Sequence, residues 1–247
     1  PLSDNDGLPD DVAPLLTQVC DTPSDPYRAG RGILASRLVT LFRVAPAWTQ
    51  QRLLPLFDWS NPAEARDLWD GFLWSPRNHH PLLAAFKAHF LETARHYDEL
   101  DDRAERYATL LTYAALDHAD TFAARELYDA FSSLPLEGLH ASVQALVRAQ
   151  EASGDQREES WRNRIHIFWR HVWPKSHELN SKGIAEQLAV FVAQGVHAAQ
   201  RGDERLCARP AEGGGAEQRQ NGGRELRDFF VGEVEAGVDG DGFGQFD

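Results

Sequence analysis

Three side chains with metal-ligating chemistry recur at helical spacing in the middle of the chain: His89, Glu92 and His96. Steps of three and four residues nearly complete whole helical turns, so the trio falls within about 60° on one face, where two imidazoles and a carboxylate could ligate a cation. The same positions lie at the edge of an apolar stripe holding Phe86, Phe90 and Tyr97, where solvated polar residues are the ordinary occupants, and no second trio completes a ligand set. The expectation is therefore no metal and no cofactor. His79-His80 stands directly before Pro81 and reads as a helix-entry loop ahead of a ligand pair. Asp239-Gly240-Asp241-Gly242-Phe243-Gly244 has the acidic and glycine spacing of the start of a calcium loop, but Phe243 stands where an oxygen ligand is needed. The chain has no G-x-S-x-G, no G-x-x-x-x-G-K-[ST], no H-E-x-x-H and no paired C-x-x-C, so the local signatures of serine hydrolases, P-loop nucleotidases and common zinc enzymes are missing. No catalytic residue is expected.

The most distinctive window runs from Ser160 to Ser176. On a helical wheel Trp161, Ile165, Phe168, Trp169 and Val172 share an apolar arc, with Arg162, His166 and Arg170 along one flank and Arg164 and His171 along the other. Two readings follow. In one, Arg162, His166, Arg170 and Trp173 form an interaction face for an acidic strip of a partner protein, or for a single strand stacked on Trp173. In the other, the segment is a core helix whose arginine stems lie over buried tryptophans and pair with neighbouring carboxylates.

These residues need elements to position them. The 247 residues are 42% hydrophobic and 26% charged, enough apolar material for a core in one domain or two. Apolar stripes at helical spacing run from Leu34, Leu38, Leu41 and Phe42 through Leu68, Trp69, Phe72 and Leu73 to Ile184, Leu188 and Phe191, with short joints between them. Pro55 is expected to shorten or kink its helix, Asn61-Pro62-Ala63-Glu64 reads as a capped helix start, and Pro81 opens a helix carrying Leu82, Phe86, Phe90, Thr93 and Tyr97. Period-two alternation is essentially missing from residues 33–200. The expected fold is all-α, either an irregular helical bundle or a degenerate antiparallel helical-hairpin solenoid, with disordered ends. No fixed repeat period is found.

Residues 1–32, with Pro1, Pro9, Pro14, Pro23 and Pro26 among six aspartates, are expected to be an irregular acidic lead-in, and residues 33–200 the helical domain. Residues 201–247 read as a Gly-rich low-complexity tail, disordered or translated out of frame. Cys20 and Cys207, near opposite ends, offer neither a disulfide framework nor a metal cluster. With 25 basic and 38 acidic residues the net charge is −13, which opposes general attraction to nucleic acid or anionic membranes. No apolar run approaches the length of a membrane span. With Pro first, no Met anywhere and no basic-then-apolar leader, the chain is expected to be a piece of a longer cytoplasmic protein.

The 160–176 window, Phe72-Leu73-Trp74-Ser75-Pro76-Arg77, the segment from Tyr107 to Leu116, Gly154-Asp155-Gln156-Arg157 and Trp173-Pro174-Lys175-Ser176 together resemble a known family region. It is the helical region that follows the sirtuin-like NAD-hydrolysing domain in large bacterial anti-phage defence proteins, and the likeness covers about Leu34 to Val196. The resemblance implies a non-catalytic scaffold and sensor that contacts a protein partner or other domains of the full-length chain. It places NAD hydrolysis in an N-terminal domain and carries no catalytic role onto any residue here. The glycine-rich tail departs from the further helices that the family would continue with. Two other function classes stay open from the residues alone. One is a free-standing helical metal-dependent enzyme using His79, His80, His89 or His96; the other is a single-stranded nucleic-acid-binding helical repeat, which the net charge disfavours.

Overall fold

The computed structural model describes residues 3–174. All regular structure among these residues is helical, and no strand occurs among them. The stripe at Ile184–Val196 and the glycine-rich segment 201–247 lie outside the described residues. Two compact units are present: the first comprises residues 3–145 with Phe168–Trp173, the second Leu146–Ile167 with Pro174.

The first unit opens with α1 (Ala13–Asp21) and α2 (Asp25–Ala35). The 1–32 segment is therefore not an irregular lead-in. Pro14 and Pro26 sit in the first two helical positions, where the missing N–H is no loss and the fixed φ suits the helix, so these prolines start helices instead of breaking them. Next come α3 (Leu38–Val44) and α4 (Pro46–Trp48), which continues through a π turn, Thr49–Leu53, into a 3-10 turn, Leu54–Phe57. Pro55 accounts for that change of winding, since it has no N–H to give an α-helix.

Helix α5 (Pro62–Leu73) begins where its sequence signals it, but Asn61 makes no side-chain cap and Glu64 is not part of a capping box. Glu64 is buried and takes a bidentate pair from Arg31 of α2, with Nη2 to Oε2 at 2.7 Å, while Arg31 Nη1 also donates to the carbonyls of Val19 at 2.9 Å and Thr22 at 2.7 Å. A charge-assisted pair of that kind outweighs a neutral cap bond. It ties α1, α2 and α5 together. The crossing of α2 on α5 is close enough that a Cβ on Gly71 would stand 2.1 Å from the Gly32 carbonyl oxygen.

The long helix expected from Pro81 to Tyr97 is instead α6 (His80–Ala85), α7 (Lys87–Glu92) and a 3-10 stretch, Thr93–Arg103, with breaks at Phe86 and His96. Its apolar stripe is buried as the spacing requires, yet the aromatic rings serve different neighbours. Phe86 meets Phe57 and Phe72, Phe90 meets Tyr107 and Phe122, and Trp69 touches both Phe86 and Phe90. Tertiary packing of this sort overrides local helix propagation. Helices α8 (Ala104–Asp117), α9 (Ala124–Phe131) and α10 (Leu136–Ala152) follow.

Long-range polar contacts in the first unit keep a register. Thr17 of α1 meets Trp48 and Asp21 meets Arg52, both at a separation of 31 residues. Arg66, Asp70 and Leu73 of α5 meet Glu99, Arg103 and Arg106, each at 33. Equal offsets advancing in the same direction mean that α1 lies parallel to the α4 run, and α5 parallel to the end of the 3-10 stretch and the first turn of α8. Parallel neighbours joined through an intervening helix are the geometry of stacked helical hairpins.

The second unit contains the end of α10, a turn at Gly154 with φ +53, α11 (Arg157–Ser160), a π turn at Trp161–Ile165 and the start of α12 (His166–His171). Within it Gln150 Nε2 donates to the Arg157 carbonyl at 3.0 Å, and Arg162 pairs with Glu158 at 2.7 Å.

Candidate functional site

The wheel that would gather His89, Glu92 and His96 is broken where α7 ends and the 3-10 stretch begins. His96 Nε2 stands 4.0 Å from Glu92 Oε1, but its ring lies flat on Trp59, 4.3 Å between centroids and 6° between planes, and its Nδ1 is 2.8 Å from Glu99 Oε1. That hydrogen bond, followed by the charges of His96 and Arg66, holds the Glu99 carboxyl below the usual glutamate range. Glu92 pairs with Arg95. The His89 carbonyl accepts from the Thr93 hydroxyl, which in turn accepts from Trp59 Nε1 at 2.8 Å. Among the described residues no group of three or more His, Cys, Asp or Glu is placed to hold a metal ion.

A second polar cluster joins the loop after α5 to the loop after α8. Asn78 donates to Asp117 at 2.8 Å and its Oδ1 stands 2.9 Å from His118 Nε2, while His80 Nε2 meets the Thr121 hydroxyl. The His80 and His118 rings are 4.5 Å apart. His79 caps α6, its Nδ1 accepting from the Leu82 N–H at 3.3 Å, so the pair enters a helix as its position before Pro81 suggests. Burial first, and the His80 charge second, pushes His118 below the ordinary imidazole pKa; burial and then Arg43 do the same to His79. His80 presents one nitrogen, Nε2, to both Thr121 and Asp120, the latter at 4.0 Å, so the hydroxyl and the carboxylate are not on opposite sides of the ring as a nucleophile, base and orienting acid require.

The arc of the 160–173 window is buried throughout: Trp161, Ile165, Phe168, Trp169 and Val172 all face inward. Trp173, expected on the interaction face, is only 5% exposed. Its ring stacks on Trp169 at 5.1 Å and packs against Phe131 at 6.4 Å and Phe168 at 6.2 Å, so it offers no free face to a base. Arg170 is exposed in the first unit. Arg162 and His166 belong to the second, where Arg162 holds Glu158 and the His166 ring lies 6.3 Å from Trp161.

An exposed aromatic surface lies elsewhere. Trp74, at the C-terminal end of α5, is 64% exposed. The Arg103 guanidinium sits 4.6 Å from its ring centroid, held there by Asp70 at 2.8 Å. Arg106 Nη1 donates to the last carbonyls of α5, Leu73 at 3.3 Å and Trp74 itself. Arg77 is exposed three residues further along. Sequence reasoning passed over this surface. One signal was available: Trp74 stands a residue beyond the stripe of Leu68, Trp69, Phe72 and Leu73, about 100° round the helix from Leu73.

The chain matches no protein-family model, no curated protein and no solved structure. No described helix is long and apolar enough to cross a membrane.

Proposed function

We propose that the chain is a non-catalytic helical scaffold and sensor module, the helical region of a larger sirtuin-like bacterial defence protein. On this reading it works in the cytoplasm on a protein partner or on other domains of a longer chain, needs no cofactor, and leaves NAD hydrolysis to a sirtuin-like domain N-terminal to it. The observation that supports it best is the offset register of the first unit, 31 residues between α1 and the α4 run and 33 between α5 and the 3-10 stretch that leads into α8. Stacked hairpins give a rigid frame with extended faces, a form suited to holding partners. The polar clusters on that frame hold elements to one another and do not converge on a reacting atom.

The test is nicotinamide release. The purified chain incubated with NAD is expected to release none, and the same chain joined behind a sirtuin-like hydrolase domain is expected to alter that domain's rate. Turnover by the chain alone overturns the proposal, as does an unaltered rate in the joined protein.

A further inference from the structure

We propose that the surface around Trp74 docks a short acidic segment of a protein partner, one that places an apolar side chain against the indole and carboxylates on Arg77 and Arg106. This deepens the scaffold reading and rests on it.

The ring is prepared for an occupant. Arg103 lies over it at 4.6 Å and is anchored by Asp70, so the indole is backed by a fixed, already neutralised cation. An exposed tryptophan held in this way loses little further freedom when covered, and rigid aromatic anchors of this type supply much of the energy of protein interfaces. Isolated exposed leucines are ordinary; a 64% exposed tryptophan beside arginines is the composition of an interface core.

Charge decides the partner's chemistry. Elsewhere in the first unit arginines hold carboxylates, among them Arg31, Arg43, Arg52 and Arg66. Four exposed arginines of the unit, Arg37, Arg77, Arg106 and Arg170, hold none among the described residues, and two of these sit at the end of α5, Arg77 just beyond it in sequence and Arg106 bonded to it. Arg77 and Arg106 are both exposed and have no carboxylate partner among the described residues. Arg106 spends its Nη1 on the α5 carbonyls of Leu73 and Trp74, which fixes the guanidinium at the end of that helix. Two guanidiniums that hold no carboxylate match the one or two carboxylates of a peptide. They fall well short of the roughly six to ten phosphate contacts of an extended nucleic-acid site, and the net charge of −13 repels a polyphosphate at longer range.

The test is selection from a displayed random-peptide library on the 247-residue chain, counter-selected on Trp74→Ala and Arg77→Glu, with oligothymidylate as a competing probe. Melting temperatures check that both variants fold, as substitutions of exposed side chains should. Enrichment of peptides carrying acidic residues next to an aromatic or aliphatic one, with affinity reduced about tenfold or more in each variant, is the expected result. Enrichment without acidic residues, equal binding to both variants, no enrichment at all, or tighter binding of oligothymidylate each overturns the proposal. Nicotinamide release is measured on the same preparation, so turnover there fails the scaffold reading, while failed enrichment on an inert chain fails the acidic-segment proposal alone.

Discussion

Arg31 and Glu64 are each more than nine-tenths buried, and their bond joins the first hairpin to α5. Removing one charge of such a pair strands the other in a poorly solvating interior, whereas replacing both by apolar residues avoids that penalty. Glu64→Gln is therefore expected to cost about 3–5 kcal/mol in urea unfolding, and Arg31→Met with Glu64→Leu markedly less. A Glu64→Gln loss within about 0.5 kcal/mol, the range of surface substitutions, would show that the pair is solvated. At this scale the sequence was legible where chemistry is local. Helical spacing places Phe86, Phe90, Leu146, Ile165, Phe168 and Leu188 on inward faces; the first five are buried, and Leu188 lies outside the described residues. Glu64 was misassigned, since the local pattern suggested a cap and the true partner lies 33 residues upstream. The exposure of Trp74 was hidden for a related reason: composition marks a tryptophan as core material, and only its angle from the stripe argued otherwise.

The elements were legible as stripes and less so as boundaries. Proline was weighed as a breaker in residues 1–32, where its place in the first turn makes it a starter, and the run from Pro81 to Tyr97 was one helix by period but several by packing. What joins the elements carries a pH dependence. The loops after α5 and α8 meet through Asn78, His80, His118 and Thr121, with Asp117 and Asp120 facing His118, and with Arg43 and Asp4 facing His79. In the folded chain His79 and His118 protonate below their ordinary value of 6.5. The unfolded chain therefore binds more protons between the two values, and unfolding free energy rises with pH through that window. This contribution is complete above about pH 6.5 and is lost as pH falls through the folded-state values. The depressed carboxyls of Glu99 and Glu126 add a loss of the same sign only at lower pH, in the carboxylate range. Urea midpoints measured between about pH 5.5 and 7.5 are expected to decline towards the acid end, and less steeply in His118→Asn. A midpoint that is flat, or higher at the acid end, would contradict the burial assigned to these two rings.

For the molecule as a whole, the all-α class was plain from the missing alternation, while the register between neighbouring helices was not. The offsets explain why. Neighbouring helices keep 31 residues between α1 and the α4 run and 33 between α5 and the 3-10 stretch leading into α8, but the loops that meet at Asn78–Asp117 and His80–Thr121 are 39 and 41 apart. A search for one period averages over these values and sees nothing, although each interface is in register. If the helices are organised as stacked hairpins, which hold together chiefly through nearest neighbours, damage at one interface should stay local. Gly71→Ala supplies the damage: its Cβ would meet the Gly32 carbonyl oxygen at 2.1 Å, and because that atom is backbone, α2 and α5 must separate. Hydrogen exchange of the variant is expected to show amide protection falling across α2 and α5 by several kcal/mol of opening free energy, on the scale of an overpacked core. Protection in α9, which meets α7 through Lys87 and Glu126 at 2.5 Å, should stay within about 0.5 kcal/mol of the parent. A uniform loss over both regions would mean that the first unit unfolds as one cooperative block, and the nearest-neighbour description of its stability would be wrong.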